Sequence, residues 1–497
     1  MSASREDGQG AAPGSHRLDL VTAAARLERL PVGAWHWRLT AIVGIGAFYE
    51  YFEVFLGGIL AAVLTPVWNL GTFEQGWLIG AVFLGMFVGA LSLGRMADRL
   101  GRKKMFLVNL GIYLVFSLVA AFSPNVWFLV ACRFLAGIGA GAEAALIPTY
   151  LGEFIPRHRR GRYIGYAFTV AFIAYPVVAL AGAPLARSHF LFDGWRWLLV
   201  IAASGVVLLL WMRRSMPESP RWLVSIGRSD EAEAELRRIE TEVERLHGAP
   251  LPEPDHASVP VPTAEKTAEK TGEKLTEQPP GVTQLFRGQN LRRMIAVGSL
   301  WTLGVLGYYG FSSLATVLLL DKGYDIQKSL IYTAIIAVGY PLGALTAAWF
   351  AERTERRTLV VVSALLTGAT GLAFGCATAD WVIMLAGFLM GLISNVHSSG
   401  VNMYAAEVFP TKLRSTAIGL CYGTGRLFAL MMPFLGLSIL KTFGGSTVLL
   451  LSAVLFTATA VLVFVFGPRT TGRVLEEVAE SPAEDAVRPV TPLQPGV

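Results

Sequence analysis

A dozen apolar blocks of about 20 residues or more, joined by polar connections, limit the possible folds of this chain more than any other feature. A helix needs about 20 apolar residues to cross a hydrocarbon core ~30 Å thick, and only elements that satisfy their own backbone hydrogen bonds can do so. The blocks fall at 38–64, 74–97, 104–123, 126–151, 163–185, 195–214, 291–320, 329–350, 357–377, 381–403, 415–440 and 446–467, hereafter spans 1 to 12. Only 16% of the residues are charged, against roughly 25% in a soluble domain. The pattern predicts an all-α membrane protein with twelve transmembrane helices and excludes the soluble classes.

The net charge of +6 does not signal nucleic acid, because the basic residues collect in alternate connections. Connection 2–3 carries Arg99, Arg102, Lys103 and Lys104, and connection 4–5 carries Arg157, Arg159, Arg160 and Arg162. Connection 8–9 carries Arg353, Arg356 and Arg357, and connection 10–11 carries Lys412 and Arg414. The 1–2, 3–4 and 9–10 connections have none; Arg187, Arg196, Lys322, Lys328 and Lys441 are the exceptions on that side. Lys and Arg concentrate on the cytoplasmic side, so the basic face and both termini are expected in the cytoplasm, with the chain in the plasma membrane. The first 30 residues lack the short apolar region of a cleavable signal. Cys132, Cys376 and Cys421 all lie in apolar blocks without metal-ligand spacing, so neither metal, cofactor nor disulfide is expected.

The expected organisation is a cytoplasmic N-terminal segment (1–37), a six-helix bundle (38–214), a cytoplasmic linker (215–290), a second bundle (291–467) and a disordered tail (468–497). Within the linker, Asp230 to His247 reads as a surface helix, with Asp230 and Glu233 spaced for a capping box. The Thr-Ala-Glu-Lys run at 263–274 has almost nothing to bury and reads as disordered. The two bundles repeat in sequence. Asp98, Arg99 and Arg102 align with Glu352, Arg353 and Arg356; Tyr150, Glu153, Pro156 and Arg160 align with Tyr404, Glu407, Pro410 and Arg414. Both motifs share one offset of 254 residues. Parallel six-span repeats of this kind place a solute site where the halves meet, near the bilayer midplane.

These motifs resemble the major facilitator superfamily. Gly94 to Lys103 (GRMADRLGRK) resembles its loop 2–3 signature, and Arg133-Phe-Leu-Ala-Gly137 its fourth-span motif. Pro148, Tyr150, Glu153, Pro156, Arg160 and Gly161 resemble the sugar-porter form of loop 4–5, and Pro217 to Leu223 (PESPRWL) the segment after span 6. The stretch Arg29 to Trp37, followed by two acids in span 1, is similar to the metabolite:proton symporter branch, which includes niacin and aromatic-acid transporters. The resemblance implies two pseudo-symmetric six-helix bundles and alternating access. It also implies a monomer in the lipid bilayer that handles a small-molecule substrate together with protons. Three departures stand out: Glu355 replaces Gly101 in the second half, no paired glutamines precede Tyr308-Tyr309, and Pro176 and Pro184 stand without the span-5 drug-antiporter signature. The missing glutamines count against a hexose.

An ionisable group at the bilayer centre costs about 2.5–3.5 kcal/mol on insertion scales, so each needs a partner or a task. The candidates are Glu50, Glu53, Arg133, Glu143 and Arg426. At 1.5 Å per residue, Glu53 lies roughly 21 Å and Arg133 roughly 20 Å from the inner edge, so the two are level and should pair. The resemblance implies that they are the proton-coupling pair; the alternative is a static ion pair between spans 1 and 4. Glu50, one turn away, either shares the proton, binds substrate or is solvated by the cavity. Arg426 falls roughly 16 Å deep, at the midplane. Its bidentate fork suits a carboxylate, which favours an organic acid over a neutral sugar, unless Glu50 is its partner. Asn395 and His397 suggest cavity lining or an interhelix bond. Tyr308, Tyr309, Tyr49 and Phe52 suit either a planar substrate or packing. Glu143, near the inner edge, reads as a gate. Asp98, Arg99, Arg102, Glu153, Arg160, Glu218 and Arg221, with Glu352, Arg356, Glu407 and Arg414, are expected to pair between bundles and close the cytoplasmic gate in the outward-open state. The expected function is secondary active transport of a small metabolite, an organic acid before a sugar or polyol, with a non-transporting solute receptor as a further alternative. No nucleophile constellation or phosphate loop supports an enzyme.

Overall fold

The computed structural model describes residues 18–186, 188–189, 191–254, 282–350, 354–409 and 411–469. The Thr-Ala-Glu-Lys run and all but the start of the C-terminal tail lie outside the described residues. Among the described residues, twelve helices are long and apolar enough to cross a membrane: Ala34–Trp68, Thr72–Leu93, Arg102–Ala120, Val126–Phe154, Arg157–Leu185, Gly194–Met212, Gly288–Ser312, Ile326–Phe350, Arg356–Cys376, Asp380–Ala405, Thr416–Phe443 and Gly445–Phe466. Each contains or closely overlaps one expected block. No strand occurs among the described residues.

The prolines break the spans where their chemistry requires. Pro176 has no N–H to give, and its ring crowds the carbonyl four residues back, at Phe172. Span 5 is interrupted there, between Arg157–Phe172 and Ala174–Leu185. Pro341 does the same to span 8, which divides after Ala337. Spans 5 and 8 pack on each other across the two halves, where a Cβ on Gly165 would lie 2.5 Å from Cβ of Ala348. Spans 2 and 11 form the other long seam, with Trp77 and Phe434 ring centroids 5.5 Å apart.

The repeat is visible in the ion pairs. Arg102 Nε meets Glu153 Oε1 at 3.4 Å, and Arg356 Nε meets Glu407 Oε1 at 3.3 Å. Both partners of the second pair follow those of the first by 254 residues.

The halves are closed at the end away from the basic loops. A Cβ on Gly58 in span 1 would lie 2.1 Å from the carbonyl oxygen of Ser313, just past span 7. Only glycine permits that approach. Overpacking of this kind costs about 1–3 kcal/mol. Gly58→Leu is therefore expected to disfavour this state and lower thiol labelling of a Ser398→Cys reporter, applied from the basic end, by about fivefold or more. Unchanged labelling would contradict the assignment of this contact as a gate.

A layer of helix covers the basic end of the first half. Residues Leu20–Glu28 form a short helix, capped by the Asp19 carboxylate, which accepts from Thr22 N at 2.6 Å. The linker helix runs Ser229–His247 as expected, but without the Asp230–Glu233 capping box, and its N-cap is Arg228. Glu233 is drawn away by Arg26 and Arg237. Arg26 also meets Glu240 at 2.6 Å, as does Arg29. Burial opposes the charge on Glu240, but hydrogen bonds from Arg26 and Arg29 outweigh it and hold the carboxyl below its usual range. Glu233 is lowered in the same way, with Arg237 and Arg26 outweighing burial. A depressed carboxylate stabilises the docked helix above its free pKa, about 4.3, and the contribution is lost as pH falls through the docked value. Hydrogen exchange over residues 20–28, corrected for intrinsic rates, should show protection from about pH 5 upward that disappears below about pH 4. Arg26→Gln should remove it at neutral pH, and protection independent of pH would contradict the ionic account.

Candidate functional site

Span 4 carries Arg133 into the heart of the first half, where the guanidinium is fully buried and Glu53 is 1% exposed. Arg133 Nη1 donates to Glu53 Oε1 at 2.7 Å, Nε to the Leu78 carbonyl at 2.8 Å and Nη2 to the Glu53 carbonyl at 3.2 Å. Ser117 Oγ donates to Glu53 Oε2 at 3.0 Å. Gly57 makes room, since a Cβ there would lie 2.6 Å from Arg133 Nη2. The depth argument from helix rise thus brings together the pair it expected. A buried charge pair survives desolvation only when such extra hydrogen bonds complete it.

Between the halves lies a cavity of about 390 Å³ that reaches the exposed Gly161 and Asn402 near the basic loops. Tyr308, Tyr309, Asn395, His397 and Arg426 all line it. A π-helical turn at Leu300–Gly304 precedes the two tyrosines in span 7, and such turns recur at functional sites. Arg426 Nη1 donates to Tyr309 Oη at 3.1 Å and Nη2 donates to Tyr422 Oη, while the guanidinium lies 4.5 Å from the Tyr422 ring centre. Its Nε is buried without a hydrogen-bond partner. Among the described residues no carboxylate stands within 4.0 Å of it, so the alternative of a Glu50 pairing is not formed at contact distance. Glu50 is 1% exposed, does not line the cavity, and leaves Oε2 unpartnered within electrostatic reach of Arg426.

Asn395 Nδ2 donates to the Tyr340 carbonyl at 2.8 Å, leaving Oδ1 unpartnered. His397 Nδ1 lies 3.1 Å from both the Val360 carbonyl and Ser363 Oγ. A carbonyl only accepts, so the proton sits on Nδ1 and the unpartnered Nε2 keeps its lone pair. Tyr49 and Phe52 do not line the cavity: Tyr49 bonds Ser204 at 3.3 Å, and Phe52 is fully buried in the core. The sequence reading missed Tyr51, Tyr422 and Trp301, which do line it. Tyr422 had a usable signal, because it stands four residues before Arg426 on one helix face.

At the basic end, the ion pairs seen among the described residues join groups within one half, where pairing between bundles was expected. Besides Arg102–Glu153 and Arg356–Glu407, Arg160 and Arg221 meet Glu28 of the N-terminal helix at 3.4 and 3.5 Å. Glu218 Oε1 accepts from Lys103 N, and Arg414 donates to the Phe409 carbonyl. The side chains of Asp98, Arg99, Glu143 and Glu352 lie outside the described residues.

The comparisons with known proteins agree with this architecture. A family model described as sugar (and other) transporter matches residues 46–481. The chain is 32% identical to metabolite transport protein YyaJ of Bacillus subtilis (strain 168), over 91% of its own length and 96% of that protein. It is 29% identical to the niacin transporter NiaP of Acinetobacter baylyi, over 93% of its length and all of the relative. Its fold matches the major facilitator superfamily proton:xylose symporter XylE with a TM-score of 0.66 at 19% identity, covering 89% of this chain and 98% of that one. The chain belongs to the sugar (and other) transporter family: it is a multi-pass membrane transporter with the major facilitator fold, and not an enzyme.

Proposed function

We propose that this transporter moves a small organic acid across the plasma membrane together with a proton. It does so as a monomer with both termini and the linker in the cytoplasm. The observation that carries the reading is Arg426, a guanidinium on the cavity wall held by two phenol hydroxyls with no carboxylate among the described residues in contact. A planar guanidinium on a cavity wall is suited to a carboxylate. The aromatic lining of Tyr51, Tyr308, Tyr309, Tyr422 and Trp301 supports a planar body on that acid. The relatives include a niacin transporter, whose substrate carries both features.

Coupling is assigned to Glu53 and Arg133, with Glu50 as a second carboxyl between that pair and Arg426. When a rearrangement of spans 1 and 4 within the first half separates the pair, Glu53 loses its counter-charge in a dry interior, and taking a proton removes the uncompensated charge. The bundles 38–214 and 291–467 move as the two bodies of alternating access. Residues Arg102, Glu153, Arg160, Glu218, Arg221, Arg356, Glu407 and Arg414 exchange their within-half partners for partners across the halves when the basic end closes. Exposed pairs are each worth about 0–1 kcal/mol, enough in a network to bias two nearly equal states.

A sugar or polyol substrate is the second reading. It is favoured by the unpartnered acceptors Asn395 Oδ1 and His397 Nε2, which suit hydroxyl donors. Uptake into proteoliposomes under an imposed pH gradient, with benzoate, nicotinate, shikimate and glucose as competitors, separates the two. Inhibition by the acids supports the organic-acid reading; inhibition by glucose alone refutes it.

A further inference from the structure

Span 7 is broken just past the solute cavity. Its helix runs Val305–Ser312 and resumes at Ala315–Asp321. The last four carbonyls before such a break have no partner within their own helix. Those of Tyr309 and Phe311 accept from the backbone N–H groups of Ser313 and Leu314. The Ser312 carbonyl takes its hydrogen bond from the other half of the molecule: Tyr175 Oη donates to it at 2.7 Å. Tyr175 stands in the first turn of Ala174–Leu185, directly after the break in span 5. Two broken helices, one from each half, thus meet through a phenol. The next carbonyl, of Ser313, is the one that Gly58 admits.

The phenol is held in place from both sides. Its ring stacks on Phe55 of span 1, with centroids 4.0 Å apart and planes 4° apart. Tyr340 of span 8 closes the cluster from the second half, edge-on at 5.1 Å. Tyr175 is 2% exposed and does not line the solute cavity. Tyr308, which does line it, lies 6.0 Å from Tyr340, so the cluster adjoins the cavity wall. A buried hydroxyl and a buried carbonyl that meet across two bodies stabilise only the state that keeps them together. When the halves part at this end, water can take both groups. While they are closed, either group would be left unsatisfied without the other.

We infer that Tyr175 is the polar latch of the gate away from the basic loops. It is a positioning residue that does not touch solute. Its hydroxyl on the Ser312 carbonyl holds the halves together at that end while the cavity reaches the basic end. The inference rests on the halves separating at the latched end and is independent of which solute is carried.

Thiol labelling of the Ser398→Cys reporter from the basic end, on the full chain, tests it. Tyr175→Phe keeps the ring and its stack but leaves the Ser312 carbonyl buried without a donor. Labelling is expected to fall by about two- to tenfold, the contribution of one buried hydrogen bond expressed as a ratio of two states. Replacing Tyr175 by 4-aminophenylalanine returns an N–H donor to the same ring position and should restore most of the labelling. A fall that this donor does not rescue overturns the proposal. Labelling at or above the wild-type level also overturns it, and a lower thermal midpoint beside that result makes the bond a purely structural one. If Tyr175→Phe does not fold, Phe55→Leu decides, because it loosens the stack that aims the phenol: lower labelling supports the latch, and unchanged labelling removes it.

Discussion

Glu53→Gln is expected to abolish pH-driven accumulation while leaving counterflow exchange intact. Wild type should concentrate a neutral proton–substrate pair about tenfold per pH unit at one proton per solute, whereas the variant should stop at a ratio of one. The expectation follows from the geometry of the pair. Gln can keep accepting from Arg133 Nη1, now at 2.7 Å from Oε1, and its amide can still reach Ser117, 3.0 Å from Oε2. Shape is preserved and only the proton site is lost. Arg133 keeps its bonds to the Leu78 and Glu53 carbonyls. Breaking a buried charge pair by removing one partner costs about 3–5 kcal/mol, so the thermal midpoint of the variant should fall. That fall alone would equally fit a static pair, and exchange activity is what separates the two. Accumulation at the wild-type level would exclude Glu53 as the carrier. Loss of exchange together with accumulation would reduce the pair to structure.

How much was legible in the sequence differs between the fold and the site, for physical reasons. Membrane spans are set by length and hydropathy, quantities local to each segment, so all twelve could be placed from the blocks. The repeat was legible because Arg102, Glu153, Arg356 and Glu407 keep one spacing, and the structure forms the same ion pair twice. Glu53 and Arg133 could be matched because helix rise converts residue number into depth, and two opposite charges at one depth have few other solutions.

Other parts depend on which face a side chain occupies, and composition does not encode that. Tyr49, Phe52, Tyr51 and Tyr422 are all aromatic residues in apolar helices. Two of them line the cavity, and the other two sit outside it. The capping box on the linker helix failed because a distant partner outcompeted a local one: Glu233 meets Arg26, 207 residues away, at 2.5 Å. Glu28 escaped notice for the same reason. It reads as an ordinary surface acid, yet Arg157, Arg160 and Arg221 converge on it from two separate connections. The ion pairs described at the basic end, Arg102–Glu153, Arg356–Glu407 and the arginines on Glu28, join groups within one half, and residue spacing alone could not choose between those partners and partners across the halves.

Arg426→Gln is expected to raise the apparent KM for a carboxylate substrate by about 30-fold to several thousandfold. That range corresponds to the 2–5 kcal/mol lost when one partner of a buried, hydrogen-bonded charge pair is removed. Arg426→Lys should recover little of this. An ammonium on a flexible stem cannot hold the Tyr309 and Tyr422 hydroxyls and still present a planar fork to the solute. Tyr422→Phe should be milder, because it removes one hydrogen bond and keeps the ring 4.5 Å from the guanidinium. A bond to a charged group is worth about 1.5–3 kcal/mol, so tenfold to a hundredfold is expected. The decisive comparison is between a carboxylate and its amide, nicotinate against nicotinamide, measured as competition for uptake in each variant. If Arg426 grips the carboxylate, wild type discriminates strongly in favour of the acid and Arg426→Gln abolishes the difference. A variant that loses both ligands equally would mean that Arg426 organises Tyr309 and Tyr422 without touching substrate. A variant that still prefers the acid would move the anion site elsewhere in the cavity, and the unpartnered Nε of Arg426 would then need another occupant.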